Sequence, residues 1–126
     1  MILKVIDANG NAPDDIVAQG IDWAIINAGA QVISMSLAGP GYSQTLQVAM
    51  DEAWQHNVLV VAAAGNGEGT TLTYPGDGNH VLTVAATDTD NASAGFSNYG
   101  TWVKIAAPGV NIETTSPTYA NNFPTN

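Results

Sequence analysis

Apolar positions along this chain alternate between two spacings, and the switches between them outline the elements. Leu3 to Asp7 is apolar with a polar end and predicts a strand. From Pro13 to Ala28 the apolar residues Val17, Ile21, Ala24, Ile25 and Ala28 recur every three or four positions, as one helical face requires. Asp14 and Asp15 suit the first turn of that helix, and Gly29 suits its stop. Gln31 to Leu37 predicts the next strand, broken by Ala38-Gly39-Pro40-Gly41. Ser43 is placed to cap a second helix running to His56, with Leu46, Ala49, Met50 and Ala53 as its inner stripe. Val58 to Ala64 is continuously apolar, the pattern of a strand covered on both faces. Val81 to Thr87 predicts another strand, and Val103 to Ala106 and Val110 to Thr114 two shorter ones.

Strand, helix, strand, helix, strand implies βαβ units and an α/β fold: three layers around a mostly parallel sheet. Ligands of such sheets bind beyond the carboxyl ends of the strands. That rule directs attention to Leu37–Gly41, Gly65–Tyr74 and Thr87–Ser93. No internal repeat or linker divides the chain, so residues 1–126 are read as one domain or a large part of one. Both ends look cut. Met1 leads straight into a strand-like run with no basic, apolar leader or cleavage site, and the tail Tyr119–Asn126 is polar with no capping element.

Composition narrows the function classes. Hydrophobic residues are 45% of the chain and charged ones 10%, enough for a packed core and unlike a disordered tail. The formal charge is −9, with Lys4 and Lys104 the two cationic side chains. Such a surface cannot neutralise phosphates, so nucleic acid is excluded as a partner, and an anionic membrane would be repelled. No apolar run reaches the length of a membrane span. With no cysteine there is no disulfide, thiolate metal site or cysteine nucleophile.

Three stretches carry a resemblance. They are Ile33-Ser34-Met35-Ser36-Leu37-Ala38-Gly39-Pro40; Val60-Val61-Ala62-Ala63-Ala64-Gly65-Asn66-Gly67 followed by Tyr74-Pro75-Gly76; and Phe96-Ser97-Asn98-Tyr99-Gly100 followed by Ile105-Ala106-Ala107-Pro108-Gly109-Val110. Gly20-Ile21-Asp22-Trp23-Ala24-Ile25 adds the helix before the first. In this order and spacing, from about Leu3 to Tyr119, the chain resembles the catalytic domain of the subtilisin-like serine peptidases.

The resemblance implies roles. Asn66 matches the oxyanion-hole asparagine, whose amide donates to the tetrahedral oxyanion. Ser36, Leu37, Ala38 and Gly39 match the strand edge that pairs with an extended peptide or protein substrate. Where the family more often has two glycines, this chain has Ala38-Gly39. Ala63, Ala64 and Gly65 would form one wall of the main specificity pocket, with Gly76 its floor and Glu68 at the rim, where it would favour basic side chains. Tyr74-Pro75 should be a cis peptide. No cofactor is expected within this chain. The parent family often binds structural Ca²⁺, and one weak cation site lies between the loop after Tyr74-Pro75 and a carboxylate near Val103. Here Lys104 stands in that place, so the site is expected to be empty or filled by the lysine. A secreted parent is also implied.

A serine peptidase needs a nucleophile, a base and an orienting acid. By resemblance the aspartate and histidine precede Met1, and the serine follows in a Gly-Thr-Ser-Met type stretch for which Tyr119-Ala120-Asn121-Asn122 looks like the run-up. The chain alone is therefore expected to be inactive, to need its flanking segments, and to expose an apolar sheet face without them. His56 and His80 fall in no motif with a serine and read as surface or loop residues. Two rivals remain: a subtilase remnant that binds peptides without cleaving them, and a nucleotide-binding module built on Gly65-Asn66-Gly67-Glu68-Gly69. The second fails its context test, because Thr70–Pro75 is poorly suited to open a helix.

Overall fold

The computed structural model describes residues 1–114, so the Tyr119–Asn122 expectation lies outside the described residues. Four parallel strands, β1 (Val32–Met35), β2 (Leu59–Ala63), β3 (Val81–Thr87) and β4 (Ile105–Pro108), lie side by side in chain order. Helix α1 (Asp14–Ile26) precedes β1, and α2 (Gln44–Gln55) connects β1 to β2.

Each helix forms where its sequence signals place it. α1 starts at Pro13, which cannot donate a side-chain cap; its first-turn Asp14 and Asp15 instead face the positive end of the helix dipole. Past its end Gly29 takes a φ of 59°, and the Ala30 N–H turns back to the Ala24 carbonyl at 3.0 Å. In α2 the Ser43 hydroxyl accepts from the Leu46 N–H at 3.4 Å. Asn57, at φ 59°, closes the other end while the N–H of Val58 donates to the Ala53 carbonyl at 2.9 Å.

Both helices cover the same face of the sheet. Val17, Ile21 and Ile25 of α1 and Leu46, Ala49, Met50 and Ala53 of α2 join Met35, Val60, Ala62 and Val81 in one core. The alternation of strand side chains sends the rest to the opposite face. There Val32 (57% exposed), Leu59 (38%) and Ile105 (47%) lie open among the described residues. The continuously apolar run Val58–Ala64 is therefore covered on one face, and its other side chains, Val61 and Ala63, are only half-buried.

Two expected strands are absent. Residues 3–7 form no ladder; among the described residues the backbone hydrogen bonds of that segment begin at Asp7. Val5 still packs on the core, its Cγ1 pressed against Gly20 where a Cβ would lie 2.7 Å away. Apolar contact is thus satisfied without register, and a cavity of about 1250 Å³ remains between this segment, α1 and β1. Asp7 ends the segment by folding a tight turn, accepting from the N–H groups of Asn9 and Asn11 at 2.8 Å each. Residues 110–114 are likewise not a strand, and the strand expected at Val103–Ala106 lies at Ile105–Pro108, paired with Val84–Thr87. No helix among the described residues is long and apolar enough to cross a membrane.

Candidate active site

β2 and β3 are parallel neighbours, yet no helix joins them. Residues 64–80 make the crossover instead, as a loop that leaves the carboxyl end of β2 and turns back past the end of β1. Gly65 begins it at φ 94°, a left-handed conformation, and an added Cβ would meet Asn98 Nδ2 and Thr73 Cγ2 at 3.0 Å each. The loop is held at both ends. Thr73 donates its hydroxyl to the Ala64 carbonyl at 2.7 Å. Gly39 and Tyr74 exchange two backbone hydrogen bonds, at 2.9 and 2.8 Å, fastening the loop to the chain that leaves β1.

A second clamp comes from residues 96–99. Asn98, 1% exposed, accepts from the Gly67 N–H at 2.7 Å and donates to the Thr71 carbonyl at 3.2 Å. The Glu68 N–H donates to the Phe96 carbonyl, and the Tyr99 N–H to the Gly69 carbonyl. Ser97 anchors this clamp to the sheet by accepting from the Ala86 N–H at 2.9 Å. The stretch Phe96–Gly100 was recognisable in the sequence, but no role for Asn98 was. An asparagine between serine and tyrosine reads as a turn residue until its two partners, far away in sequence, are known.

The sequence-derived site residues do not all meet. Ser36, Ala63, Ala64, Gly65 and Asn66 line one depression of about 340 Å³ at the carboxyl ends of β1 and β2, whose far wall includes Ala107–Gly109. Asn66 is exposed there. Leu37 lines the larger N-terminal cavity instead. Ala38 is exposed beyond the end of β1, with Gly39 half-buried in its bridge to Tyr74. Gly76 is buried; a Cβ there would stand 2.8 Å from the Ala63 carbonyl and 3.3 Å from the Trp102 ring. Glu68 is exposed on the loop at φ 55°. Tyr74-Pro75 is cis.

The other polar candidates lie elsewhere. His56 caps α2, its Nδ1 2.9 Å from the Glu52 carbonyl, and His80 stacks on Trp54 with Nε2 3.8 Å from Asp51. Among the described residues no group of three or more histidine or acidic side chains could hold a metal ion. Near the cation site that the resemblance implied, the Gly76 carbonyl accepts the Thr83 hydroxyl, and Lys104 is exposed with its N–H on the Thr83 carbonyl. A lysine where the family has a carboxylate removes an oxygen ligand from that position and adds a positive charge, both unfavourable to Ca²⁺, which needs several oxygen ligands. No helix follows Gly65–Gly69, so the glycines do not form the helix-capped phosphate cradle of a nucleotide site.

Where the crossover loop meets α2, the Tyr74 hydroxyl donates to Gln47 Oε1 at 2.7 Å. Burial, and next the neighbouring Tyr42, push the Tyr74 phenol well above its usual value of 10.0. A raised folded-state value favours the protonated form, so this contribution is complete below the unfolded-state value and is lost as pH rises through the folded one. Thermal melts on either side of pH 10.0 are expected to show a loss of stability on the alkaline side. In Tyr74→Phe that alkaline loss should shrink, while at neutral pH the variant should be about 1 kcal/mol less stable for its missing hydrogen bond. An identical alkaline slope in the two proteins would show that Tyr74 does not report there.

A parallel sheet with helices, a loop crossover and a depression at the strand ends define an α/β protein with its candidate site at the carboxyl ends of the strands. The chain belongs to the subtilase family, whose model matches residues 1–126. It is 42% identical over 121 residues to Subtilisin BL of Lederbergia lenta, covering 94% of this chain and 45% of that protein. The same identity and coverage of this chain hold for an alkaline protease of Shouchella clausii, of which 32% is covered. Among solved structures, a psychrophilic subtilisin-like protease, Apa1 of Pseudoalteromonas sp. AS-11, superposes with a TM-score of 0.77 at 35% identity, over 84% of this chain and 24% of that one. The chain thus spans less than half the length of these relatives.

Proposed function

We propose that this chain supplies the substrate edge and the oxyanion donor of a serine endopeptidase, with the nucleophile, base and acid provided by segments outside the described residues. The observation that supports this reading best is the position of Asn66. It stands exposed at the end of β2, in one depression with Ser36 at the end of β1. An extended peptide laid along Ser36–Ala38, ahead of the Gly39 bridge to Tyr74, would bring a scissile carbonyl past that amide, where a preorganised donor stabilises the developing negative charge. Main-chain pairing along an edge binds peptides of many sequences, and the small residues Ala63, Ala64 and Gly65 leave room for one side chain. The partner is thus a peptide or protein, not nucleic acid and not a membrane. The relatives named subtilisin and alkaline protease support an extracellular parent. With Lys104 where the family has a carboxylate, the weak cation site is read as empty or filled by the lysine.

Hydrolysis of extended peptide anilides by the protein that carries this chain, abolished by a serine-directed sulfonyl fluoride, is the expected result. Peptide binding without turnover would instead identify a non-catalytic groove. The same assay tests the pocket rim. Glu68→Gln should lower cleavage after lysine or arginine by a few-fold relative to leucine, the scale of an exposed charge pair of about 0.2–1 kcal/mol. An unchanged ratio would remove Glu68 from the pocket.

A further inference from the structure

The sequence holds two Asn-Gly pairs, Asn9-Gly10 and Asn66-Gly67. Such a pair can close on itself without any cofactor. The deprotonated backbone nitrogen of the glycine attacks the asparagine side-chain carbonyl carbon, a C–N bond forms, and the side-chain nitrogen leaves as ammonia. Water then opens the resulting succinimide to aspartate or isoaspartate. Glycine favours the closure because its backbone reaches the required angles freely.

At Asn66-Gly67 the attacking nitrogen is withheld. The Gly67 N–H donates at 2.7 Å to Oδ1 of Asn98, whose side chain is 1% exposed. Asn98 cannot follow if Gly67 turns toward the Asn66 side chain. Its own amide donates to the Thr71 carbonyl at 3.2 Å, and its backbone N–H donates to the Gly65 carbonyl at 2.9 Å. Ring closure would also strand Oδ1 as a buried acceptor with no donor, a costly state. The other pair is held differently. Asn9 and Gly10 lie in an exposed turn, where the Gly10 N–H reaches the Asp7 carbonyl at 3.3 Å and water can replace that partner.

We propose that Asn98 is a positioning residue that withholds the Gly67 nitrogen and thereby keeps Asn66 an amide while the loop is folded. The consequence for catalysis rests on reading Asn66 as the oxyanion donor. Ring opening exchanges an NH₂ donor for a carboxylate, which at neutral pH only accepts hydrogen bonds and repels an oxyanion. Local opening of residues 65–71 would then convert a reversible fluctuation into permanent loss of turnover.

The test is site-resolved peptide mapping of aspartate and isoaspartate after incubating the protein that carries this chain at mildly alkaline pH, native and in urea. In urea the two pairs should react at similar rates. In the native protein Asn66 should react at least about tenfold more slowly than Asn9, which is about 1.4 kcal/mol of added barrier. Asn98→Ala should raise the rate at Asn66 and leave Asn9 unchanged, while the Glu68 and Tyr99 amides, which donate to the Phe96 and Gly69 carbonyls, keep their slow hydrogen exchange; a general loosening of the loop would speed those amides as well. If that variant does not fold, the native-to-urea comparison of the unsubstituted protein decides, together with slow hydrogen exchange at the Gly67 amide. A native rate at Asn66 equal to that at Asn9, or a folded Asn98→Ala protein with an unchanged Asn66 rate, overturns the proposal. Mapping reads mass and not turnover, so its outcome is independent of whether the peptidase reading stands.

Discussion

On the proposed reading of Asn66 as oxyanion donor, replacing it with alanine is expected to lower peptide turnover by the protein that carries this chain by about 10²–10³, a scale established on a subtilisin itself, while leaving KM nearly unchanged. The split follows from when the hydrogen bond is made. A donor placed for the tetrahedral oxyanion meets the planar carbonyl of the bound substrate poorly, so its removal costs the transition state and spares the ground state. Asn66 is suited to that role because it need not hold the loop together: Asn98 and Thr73 do so, and the exposed amide lies at the mouth of the depression. Peptide hydrolysis kinetics on the variant read both parameters. A rise in KM with unchanged kcat would mean that Asn66 binds substrate and does not stabilise the oxyanion.

The largest expected loss of stability is at Met50. It is fully buried in α2, inside the one core that joins both helices to the sheet. Met50→Ala should cost about 2–5 kcal/mol, combining lost apolar transfer with an unfilled cavity. The effect should reach the site, because Met50 Cε presses under Gly78, within 2.6 Å of where a Cβ would stand. Gly78 also donates its N–H to the Pro75 carbonyl, so softening the floor at Met50 loosens the segment that bridges Gly39. A urea titration with a lower midpoint and an unchanged slope is the expected readout. A loss well under 1 kcal/mol would show that the core collapses around the gap.

The elements that periodicity revealed are those whose burial is local. α1 and α2 each carry a complete apolar stripe, and Gly29 and Ser43 mark ends that any helix of that sequence would have. Residues 3–7 and 110–114 carry strand-like composition, but a strand exists only where a neighbour's backbone comes into register, and that information is not in the segment itself. The same limit explains the run Val58–Ala64. Its composition is that of a strand covered twice, whereas the described residues cover it once. At the site, Gly65 and Asn66 stood out in the sequence only through the resemblance of their stretch to the family, since Asn-Gly by itself reads as a turn. Asn98 did not, since its meaning lies in Gly67 and Thr71, roughly thirty residues upstream, and a two-ended amide bridge leaves no periodic trace. Gly76, expected as the pocket floor, is also a place where a Cβ would crowd the Ala63 carbonyl and the Trp102 ring, contacts that only the structure shows.

The crossover between β2 and β3 has a bearing on how such a chain can diverge. In most βαβ units a helix fixes both the length and the path of the return, and the ligand site is a passenger on the turns. Here the return path and the site wall are the same stretch of chain. Its middle, from Glu68 to Leu72, is largely exposed and is held mainly through backbone hydrogen bonds, which are indifferent to side-chain identity. Closing a somewhat longer loop costs little, because the entropy grows only logarithmically with length. Its two ends tolerate no such freedom, since Gly65 and Gly76 are both hemmed in by neighbours. Insertions confined to that middle would therefore reshape the pocket while the sheet beneath keeps its register, and specificity and fold could be inherited separately.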